Sequence, residues 1–287
     1  MKAAFKNICV VGLGLIGGSI IKKINLLDSA TQVYGLDIND KVTKEAHAQG
    51  LIKNSENNLK TLPDNSLVVL SVPSLSPESA FEIVKGSIQD KDVIFTDTFS
   101  SKSQLINFLE KNEGLKKDFI MSHPIAGSEK SGLSNSISSL FENKLVVLSS
   151  MDASPKINRV KVFWEELGSR VIVMDPLEHD EIFSKTSHLP HVIAFALMSY
   201  LKKEFGENVF NYSGGSLEGY TRIASSDPTM WKDIVISNKK EILLSLKGFK
   251  SSLREITDLI EVSDEDSLLD FLMRIKDSRD DLVEEDK

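Results

Sequence analysis

The stretch that decides the fold is residues 7–17, NICVVGLGLIG. It opens with a short apolar, β-branched run that ends at a glycine, which is typical of a buried parallel strand. Three glycines then follow in the spacing G-x-G-x-x-G, and an apolar helical segment runs from about Gly17 to Leu26. A strand, a glycine turn and a helix in this order predict the start of a dinucleotide-binding βαβ unit.

An acidic residue supports this prediction. The second predicted strand, 32–36, ends at Asp37, 20 residues after the last glycine. A carboxylate at this place accepts a hydrogen bond from the ribose 2′-OH of NAD and repels the 2′-phosphate of NADP. A glycine turn without a ligand is the alternative. We therefore expect NAD as the cofactor, and the predicted cofactor-binding residues are Gly12, Gly14, Leu15, Ile16, Gly17 and Asp37.

The rest of the chain divides into two patterns. Up to about residue 178, predicted strands at 67–72, 92–97, 119–122, 145–149 and 170–174 alternate with predicted helices at 41–49, 77–86, 102–112 and 156–167. Beyond it the predicted elements are a helix over 179–205 with a kink or helix start near Pro190, a Gly/Ser-rich loop over 206–227, and helices over 228–261 and 265–282. This predicts an α/β fold, a doubly wound parallel sheet in domain 1–178 and a smaller all-helical domain 179–287.

Composition narrows the class of protein. The 287 residues carry 34 Lys and Arg against 42 Asp and Glu, a net charge of −8. An acidic chain is disfavoured as a nucleic-acid or membrane-surface binder, since both need a basic face. One cysteine permits no internal disulfide, and no apolar run reaches the length of a membrane span. We expect a cytoplasmic protein that binds a small molecule.

Polar clusters follow the predicted strands where ligands bind in parallel sheets. They are DTFSSK at 97–102, HPIAGSEKSG at 123–132, SHLPH at 187–191 and RIASSDPTMWKD at 222–233. His123 is placed for proton transfer, although an exposed loop histidine fits the same position. His188 and His191 lack the carboxylates that would complete a metal site, so no metal is predicted. Arg222 fits either a carboxylate clamp or a surface salt bridge.

Taken in order, the glycine motif and these four clusters resemble the prephenate/arogenate dehydrogenase family over essentially the whole chain. The resemblance implies a Rossmann domain followed by a helical dimerisation domain. It also implies NAD(P)-dependent oxidative decarboxylation of a cyclohexadienol in tyrosine biosynthesis. Prephenate is the expected substrate and arogenate the alternative, because no residue here uniquely distinguishes the keto group of one from the amino group of the other.

The resemblance also assigns site residues. His123 would accept the proton of the ring hydroxyl, with Ser100 supporting it near the nicotinamide. Arg222 would hold the ring carboxylate. The other residues expected at the substrate site are His191, Ser128, Glu129, Trp231, His188 and Ser226. Thr98 and Phe99 depart from the family pattern, which implies a tighter nicotinamide pocket.

The sequence leaves two alternative functions open, and it also predicts an oligomeric state. A β-hydroxyacid or imine reductase shares this two-domain plan, but it usually carries a lysine or aspartate where this chain has His188 and His191. A non-catalytic dinucleotide sensor would not need His123, Ser100 and Arg222 together. Finally, apolar residues at helical spacing in the last third, such as Ile234, Ile242, Leu246 and Phe249, together with the resemblance predict a homodimer through the helical domain.

Overall fold

The computed structural model describes residues 4–27, 30–57, 59–89, 91–127 and 130–284. The chain forms two compact units, residues 1–239 and residues 240–287. Within the described residues, no helix is both long and apolar enough to cross a membrane. The predicted domain boundary near residue 178 stays a prediction.

The first unit is built on one seven-stranded sheet in the order β2-β1-β3-β4-β5-β6-β7. All neighbouring strands are parallel except β5 and β6, which pair antiparallel. The predicted doubly wound sheet is thus confirmed with one reversal. The described residues of the connection that precedes it form a short 3₁₀ turn and no crossover helix. The strands are Asn7–Val11 (β1), Gln32–Leu36 (β2), Ser66–Leu70 (β3), Val93–Asp97 (β4), Phe119–Pro124 (β5), Leu145–Ser149 (β6) and Arg170–Val173 (β7).

Helices follow most of the strands, and after β7 the described chain is entirely helical apart from its connecting turns. Those among the strands are Leu15–Leu27 (α1), Asp40–Ala48 (α2), Pro77–Lys85 (α3), Ser103–Lys111 (α4) and Ile157–Glu166 (α5). Those after the sheet are Pro176–Phe183 (α6), Leu189–Phe205 (α7), Gly215–Thr221 (α8), Pro228–Ser237 (α9), Lys239–Val262 (α10) and Glu265–Glu284 (α11). The 3₁₀ helices are Glu113–Leu115, Leu133–Asn135, Gly206–Tyr212 and Arg222–Ser225, and Ser184–His188 is a π-helix.

Strands β1 to β5 supply both layers of the core, because alternate side chains of a strand point to opposite faces. In β1, Ile8 and Val10 join one buried cluster, whereas Cys9 and Val11 join the other. Helices α1 and α5 cover the first face, and α3 and α4 cover the second. Because β1, β3, β4 and β5 are parallel and pack against helices on both faces, their carboxyl ends lie at one edge of the sheet.

Three predicted elements after the sheet need correction. The predicted helix over 179–205 is interrupted by the π-helix, whereas the helix start predicted near Pro190 is confirmed, because Pro190 lies in the first turn of α7, where proline is well tolerated. The predicted loop over 206–227 is wrong, since it consists of short helical turns around α8, several of them in contact with α7. The predicted helix over 228–261 is divided at Asn238.

The second unit contains the remainder of α10 and the whole of α11. Asp264 begins α11 by accepting hydrogen bonds from the N–H and hydroxyl of Ser267. Both helices expose large apolar side chains, at Leu243, Leu244, Leu253, Ile260 and Val262 on α10 and at Leu269, Leu272, Met273, Ile275 and Leu282 on α11. The exposed set differs from the residues named from helical spacing, since Ile234 and Ile242 are buried.

Candidate active site at the carboxyl edge of the sheet

The glycine loop joins β1 to α1 at the sheet edge. Gly12 has a φ of +94°, and a Cβ there would collide with the carbonyl oxygen of Ser71. Gly14 faces open space, with no atom within 4 Å of the position of a Cβ. The loop therefore has one glycine required by its own backbone and one that leaves room for a ligand at the first turn of a helix, where free N–H groups favour a phosphate.

Asp37 lies at the end of β2 beside this loop. Its carboxylate accepts hydrogen bonds from the backbone N–H of Leu13, at 2.8 Å, and of Asn39, at 2.9 Å. A carboxylate offers about four acceptor positions, so capacity remains for a ribose hydroxyl. Leu15 and Ile16 form the first turn of α1 and are half-buried. The residues present therefore fit NAD.

We expect Gly14→Ala to weaken NAD binding without weakening the fold. An added methyl group enters space that is empty in the protein but that a pyrophosphate needs, so the dissociation constant of NAD should rise by about tenfold or more. Calorimetric titration and thermal unfolding measure the two effects separately. Gly12→Ala is the contrast, because strain at its positive φ should lower the unfolding temperature as well. Unchanged NAD affinity in Gly14→Ala would show that no phosphate group approaches this glycine.

His123 occupies the end of β5, where it is only 7% exposed. Its Nδ1 lies 2.8 Å from Nε2 of His179, and both imidazoles pack against the ring of Phe183. Burial lowers the pKa of His123 well below 6.5, and the nearby His179, Lys102 and His188 lower it further. His123 is therefore a neutral imidazole at pH 7, the form that accepts a proton.

A buried ion pair supports the backbone on which His123 lies. Lys102 and Asp97 are fully buried, with Nζ and Oδ2 2.6 Å apart. The same ammonium also donates to the carbonyl oxygens of Phe99, at 2.9 Å, and Ser122, at 2.6 Å. Asp97 in turn accepts from the N–H groups of Phe99 and Ser122. All three ammonium protons thus have acceptors, and the loop after β4 is tied to the residue that precedes His123.

Asp180, on α6, caps the N-terminus of α4, a helix that lies far from it in the sequence. Its carboxylate accepts hydrogen bonds from the N–H of Lys102, at 2.7 Å, and from the N–H and hydroxyl of Ser103, at 2.8 and 2.5 Å. These donors lie at the start of α4, whose own N-cap residue makes no side-chain cap. Asp180 therefore satisfies two backbone N–H groups at the start of α4 and fixes α6 against the site.

A second group of predicted residues consists of His188 at the end of the π-helix, His191 on α7, Trp231 on α9 and Arg222 at the start of a 3₁₀ helix. His191 stacks on Trp231 with ring centroids 3.8 Å apart, and His188 contacts the same indole edge-on at 6.2 Å. Burial lowers the pKa of His191, and the positive charge of Arg222 lowers it further. Three residues that the resemblance assigns to one substrate site are therefore in contact, and the charge of Arg222 acts on one of them, His191.

Asn238, between α9 and α10, connects this group to the His123 group. Its amide donates 2.8 Å to the carbonyl oxygen of Asp180 and lies 3.2 Å from Nδ1 of His188. Arg222 lines an adjacent pocket of about 540 Å³. The side chains lining it are Phe195, Met198, Phe210, Glu218, Thr221, Arg222, Ala224 and Ser225.

The remaining predicted residues are placed less decisively. Ser100 is half-buried in the loop after β4, and the described residues contain no hydrogen bond between it and His123. Ser226 is half-buried just before the N-cap of α9. Ser128 and Glu129 lie outside the described residues. The roles of these four residues, like those of the other predicted site residues, stay predictions.

Several buried groups of the site were missed in the sequence. His179 and Asp180 belong to the charged segment LEHDEI, which reads as a solvated helix face. Asp97 and Lys102 stand in the quoted cluster at 97–102, but only Ser100 received a role there. The sequence signal for their ion pair was an aspartate at a strand end with a lysine five residues later.

Comparison with known proteins identifies the relatives of this arrangement. Residues 25–173 match the family model described as prephenate dehydrogenase, nucleotide-binding domain. Residues 175–274 match the model described as prephenate dehydrogenase, dimerization domain. The matches cover strands β2 to β7 and the helical segments that carry His179 and Arg222.

Full-length relatives agree with the two family models. The cyclohexadienyl dehydrogenase of Zymomonas mobilis is 32% identical over 96% of this chain and 95% of its own. The prephenate dehydrogenase of Bacillus subtilis is 29% identical over 96% of this chain and 76% of its own. A crystal structure of Aquifex aeolicus prephenate dehydrogenase with hydroxyphenyl propionate and NAD⁺ superposes with a TM-score of 0.85, at 35% identity, over 98% of this chain and 100% of that one. With its NAD-binding glycine loop and the buried histidine at the end of β5, the chain belongs to the prephenate dehydrogenase family.

Proposed function

We propose that this chain catalyses the NAD-dependent oxidative decarboxylation of prephenate to 4-hydroxyphenylpyruvate, a step of tyrosine biosynthesis. The observation that carries the proposal is the buried neutral His123 at the same sheet edge as the NAD-binding loop. The family and its relatives support it. We further propose a cytoplasmic location, as expected from the sequence.

His123 performs the proton transfer in this proposal. The ring hydroxyl must lose its proton as its carbon becomes a carbonyl, and a neutral imidazole is suited to accept it. Bound NAD supplies the hydride acceptor. Loss of the ring carboxylate as CO₂ then makes the ring aromatic, and the ring oxygen can recover the proton from His123. Because aromatisation drives the reaction, the protein chiefly orients the substrate and handles one proton.

Arg222 supplies substrate binding in this proposal. A guanidinium donates two parallel hydrogen bonds to a carboxylate, and His191 and Trp231 provide a stacked aromatic wall beside it. The positive charge of Arg222 lowers the pKa of His191, which supports a common site for the two side chains. We propose that Arg222 grips the ring carboxylate and that His191, Trp231 and His188 line the same site.

Steady-state assays with prephenate and arogenate test the substrate. We expect NAD-dependent turnover of prephenate, with a higher kcat/KM than for arogenate and with NAD preferred to NADP. A higher kcat/KM for arogenate would reassign the chain to the alternative named above. Equal or better efficiency with NADP would contradict the role proposed for Asp37.

Arg222→Ala should act on binding rather than on turnover. The carboxylate that Arg222 contacts is present before the reaction, and each charge-assisted hydrogen bond contributes about 1.5–3 kcal/mol. The expected result is a KM for prephenate raised by about 10–10²-fold, with kcat changed by a few-fold at most. Arg170→Ala, at an exposed arginine of β7, is the control and should leave both constants unchanged. A fall in kcat at constant KM would contradict this role.

We also propose that the chain forms a homodimer through its helical part. Ten exposed large apolar side chains on two helices are more than a unit of this size can leave in water without cost. The match of residues 175–274 to a dimerization-domain model supports the same conclusion.

Leu253→Glu should separate the dimer. We expect light scattering after size exclusion to give twice the chain mass for the wild type at micromolar concentration. A buried glutamate at the interface should shift the variant towards the monomer, because an unpaired charge is costly to bury. Lys247→Glu, on the same helix, is the matched control for added acidity. A monomeric wild type would contradict the proposal.

A further inference from the structure

A chain of two hydrogen bonds ends at the proposed catalytic histidine. Oδ1 of Asp180 lies 2.9 Å from Nδ1 of His179, and Nε2 of His179 lies 2.8 Å from Nδ1 of His123. All three residues are buried. The ring of Phe183 packs on both imidazoles, with centroids 4.5 Å from that of His179 and 4.9 Å from that of His123. The two rings are therefore held in fixed positions, and water does not compete for the shared nitrogens.

The proton positions in this chain follow from Asp180. Its two oxygens already accept hydrogen bonds from the backbone N–H groups of Lys102 and Ser103 and from the hydroxyl of Ser103. Burial raises its pKa, but the hydrogen bonds from His179 and Ser103 outweigh this effect and hold the pKa below its usual value. Asp180 is thus an ionised carboxylate, and an ionised carboxylate only accepts.

Each imidazole must then adopt one tautomer. Because Asp180 accepts, Nδ1 of His179 carries the proton, and Nε2 of a neutral His179 is an acceptor. His123 must donate to that acceptor, so its own proton is on Nδ1. The Nε2 of His123 is left with a lone pair, which is the nitrogen a substrate hydroxyl needs.

We infer that His179, oriented by Asp180, is a positioning residue that fixes His123 in the tautomer whose Nε2 accepts the substrate proton. The inference rests on the proposed function, since it concerns the same proton transfer. It extends that function to two residues on α6 that touch neither substrate nor cofactor in the proposed reaction.

The surroundings also keep both imidazoles neutral, which this tautomer requires. Lys102, Asp97 and Asp180 act electrostatically on His179, and Lys102, His179 and His188 act on His123. Lys102 disfavours a second proton on either imidazole, whereas Asp180 and Asp97 favour one on His179 but do not outweigh its burial. Burial accordingly lowers the pKa of both histidines, and both stay neutral at pH 7.

Two substitutions of His179 separate its hydrogen bond from its packing. His179→Gln keeps an acceptor oxygen near the position of Nε2, whereas His179→Phe keeps a ring against Phe183 and removes the acceptor. For His179→Phe we expect kcat to fall by about 10²-fold with a small change in KM, since a wrong tautomer disables a histidine base. For His179→Gln we expect recovery to within about tenfold of the wild type.

The tautomer itself is read by ¹⁵N NMR of the full-length chain labelled at its five histidines. His123→Ala identifies the His123 signals, and His47→Gln, at an exposed histidine of α2, is the control. We expect the wild-type His123 to be protonated at Nδ1 and unprotonated at Nε2 without any substrate present. His179→Gln should keep this pattern, and His179→Phe should populate both tautomers.

The outcomes are decisive in each case. An Nε2-protonated His123 in the wild type overturns the inference, and so does a His179→Phe variant with normal kcat. The wild-type spectrum decides the tautomer even if His179→Phe does not fold. The NMR spectrum can be recorded without turnover. If His123 has the expected tautomer in a chain that does not oxidise prephenate, the proposed function is refuted, whereas the hydrogen-bonded chain from Asp180 through His179 to His123 is established.

Discussion

His123→Ala lowers the turnover number for prephenate by about 10²–10⁴-fold, with little change in KM. The reason is that the interaction of His123 with the ring hydroxyl strengthens only as the proton leaves. Alanine removes the acceptor at the end of β5 without touching the carboxylate contacts proposed for Arg222. Stopped-flow or steady-state measurement of NADH formation gives both constants.

The pH profile of the wild type checks the same role. Burial, followed by His179, Lys102 and His188, holds the pKa of His123 well below 6.5, so activity should persist below pH 6.5 and fall only at more acid pH. The direction follows because protonation removes the lone pair that accepts the substrate proton. This acid limb should be missing from the residual activity of His123→Ala. Near-normal turnover in His123→Ala would make His191 the next candidate base.

Lys102→Met should lower the free energy of unfolding by about 3–5 kcal/mol, the usual cost of leaving one member of a buried ion pair without its partner. Lys102 and Asp97 are both 0% exposed, and the lysine alone satisfies two buried carbonyl oxygens besides the carboxylate. Methionine fills a similar volume, so the loss is electrostatic rather than steric. Urea unfolding followed by tryptophan fluorescence measures the change.

Two companions make this result interpretable. Lys85→Met removes an exposed lysine from its pair with Glu82, and it should cost less than about 1 kcal/mol. Adding Asp97→Asn to Lys102→Met removes the uncompensated charge and should recover part of the loss. Equal stabilities for Lys102→Met and Lys85→Met would show that the buried pair contributes no more than a surface pair.

The parts of the fold that could be predicted are those that depend on residues close together in the sequence. The glycine spacing, the apolar runs and Asp37 each depend on neighbours in sequence, and all were placed correctly. The antiparallel pairing of β5 with β6 was not predicted, because register and direction depend on tertiary pairing. Its signal was the lack of a helical segment between 124 and 145. The helical turns within 206–227 were missed because contacts with α7 overrode a Gly/Ser-rich composition.

The site divides in the same way. His123, His191, Trp231 and Arg222 were predicted as site residues because their motifs resemble a family. His179 and Lys102 were not assigned roles, because nothing local shows that a charged helix face or a loop lysine will be buried. Burial of such groups is decided by the packing of α6 against α4, which brings together residues 77 and 78 positions apart.

The central claim is most directly tested by product analysis after incubation of the purified chain with prephenate and NAD. We expect NADH and 4-hydroxyphenylpyruvate in equal amounts, with release of CO₂, and a loss of at least about 10²-fold in their rate of formation in His123→Ala. A chain that binds NAD but forms neither product, or one whose His123→Ala variant forms both at the wild-type rate, would contradict the claim.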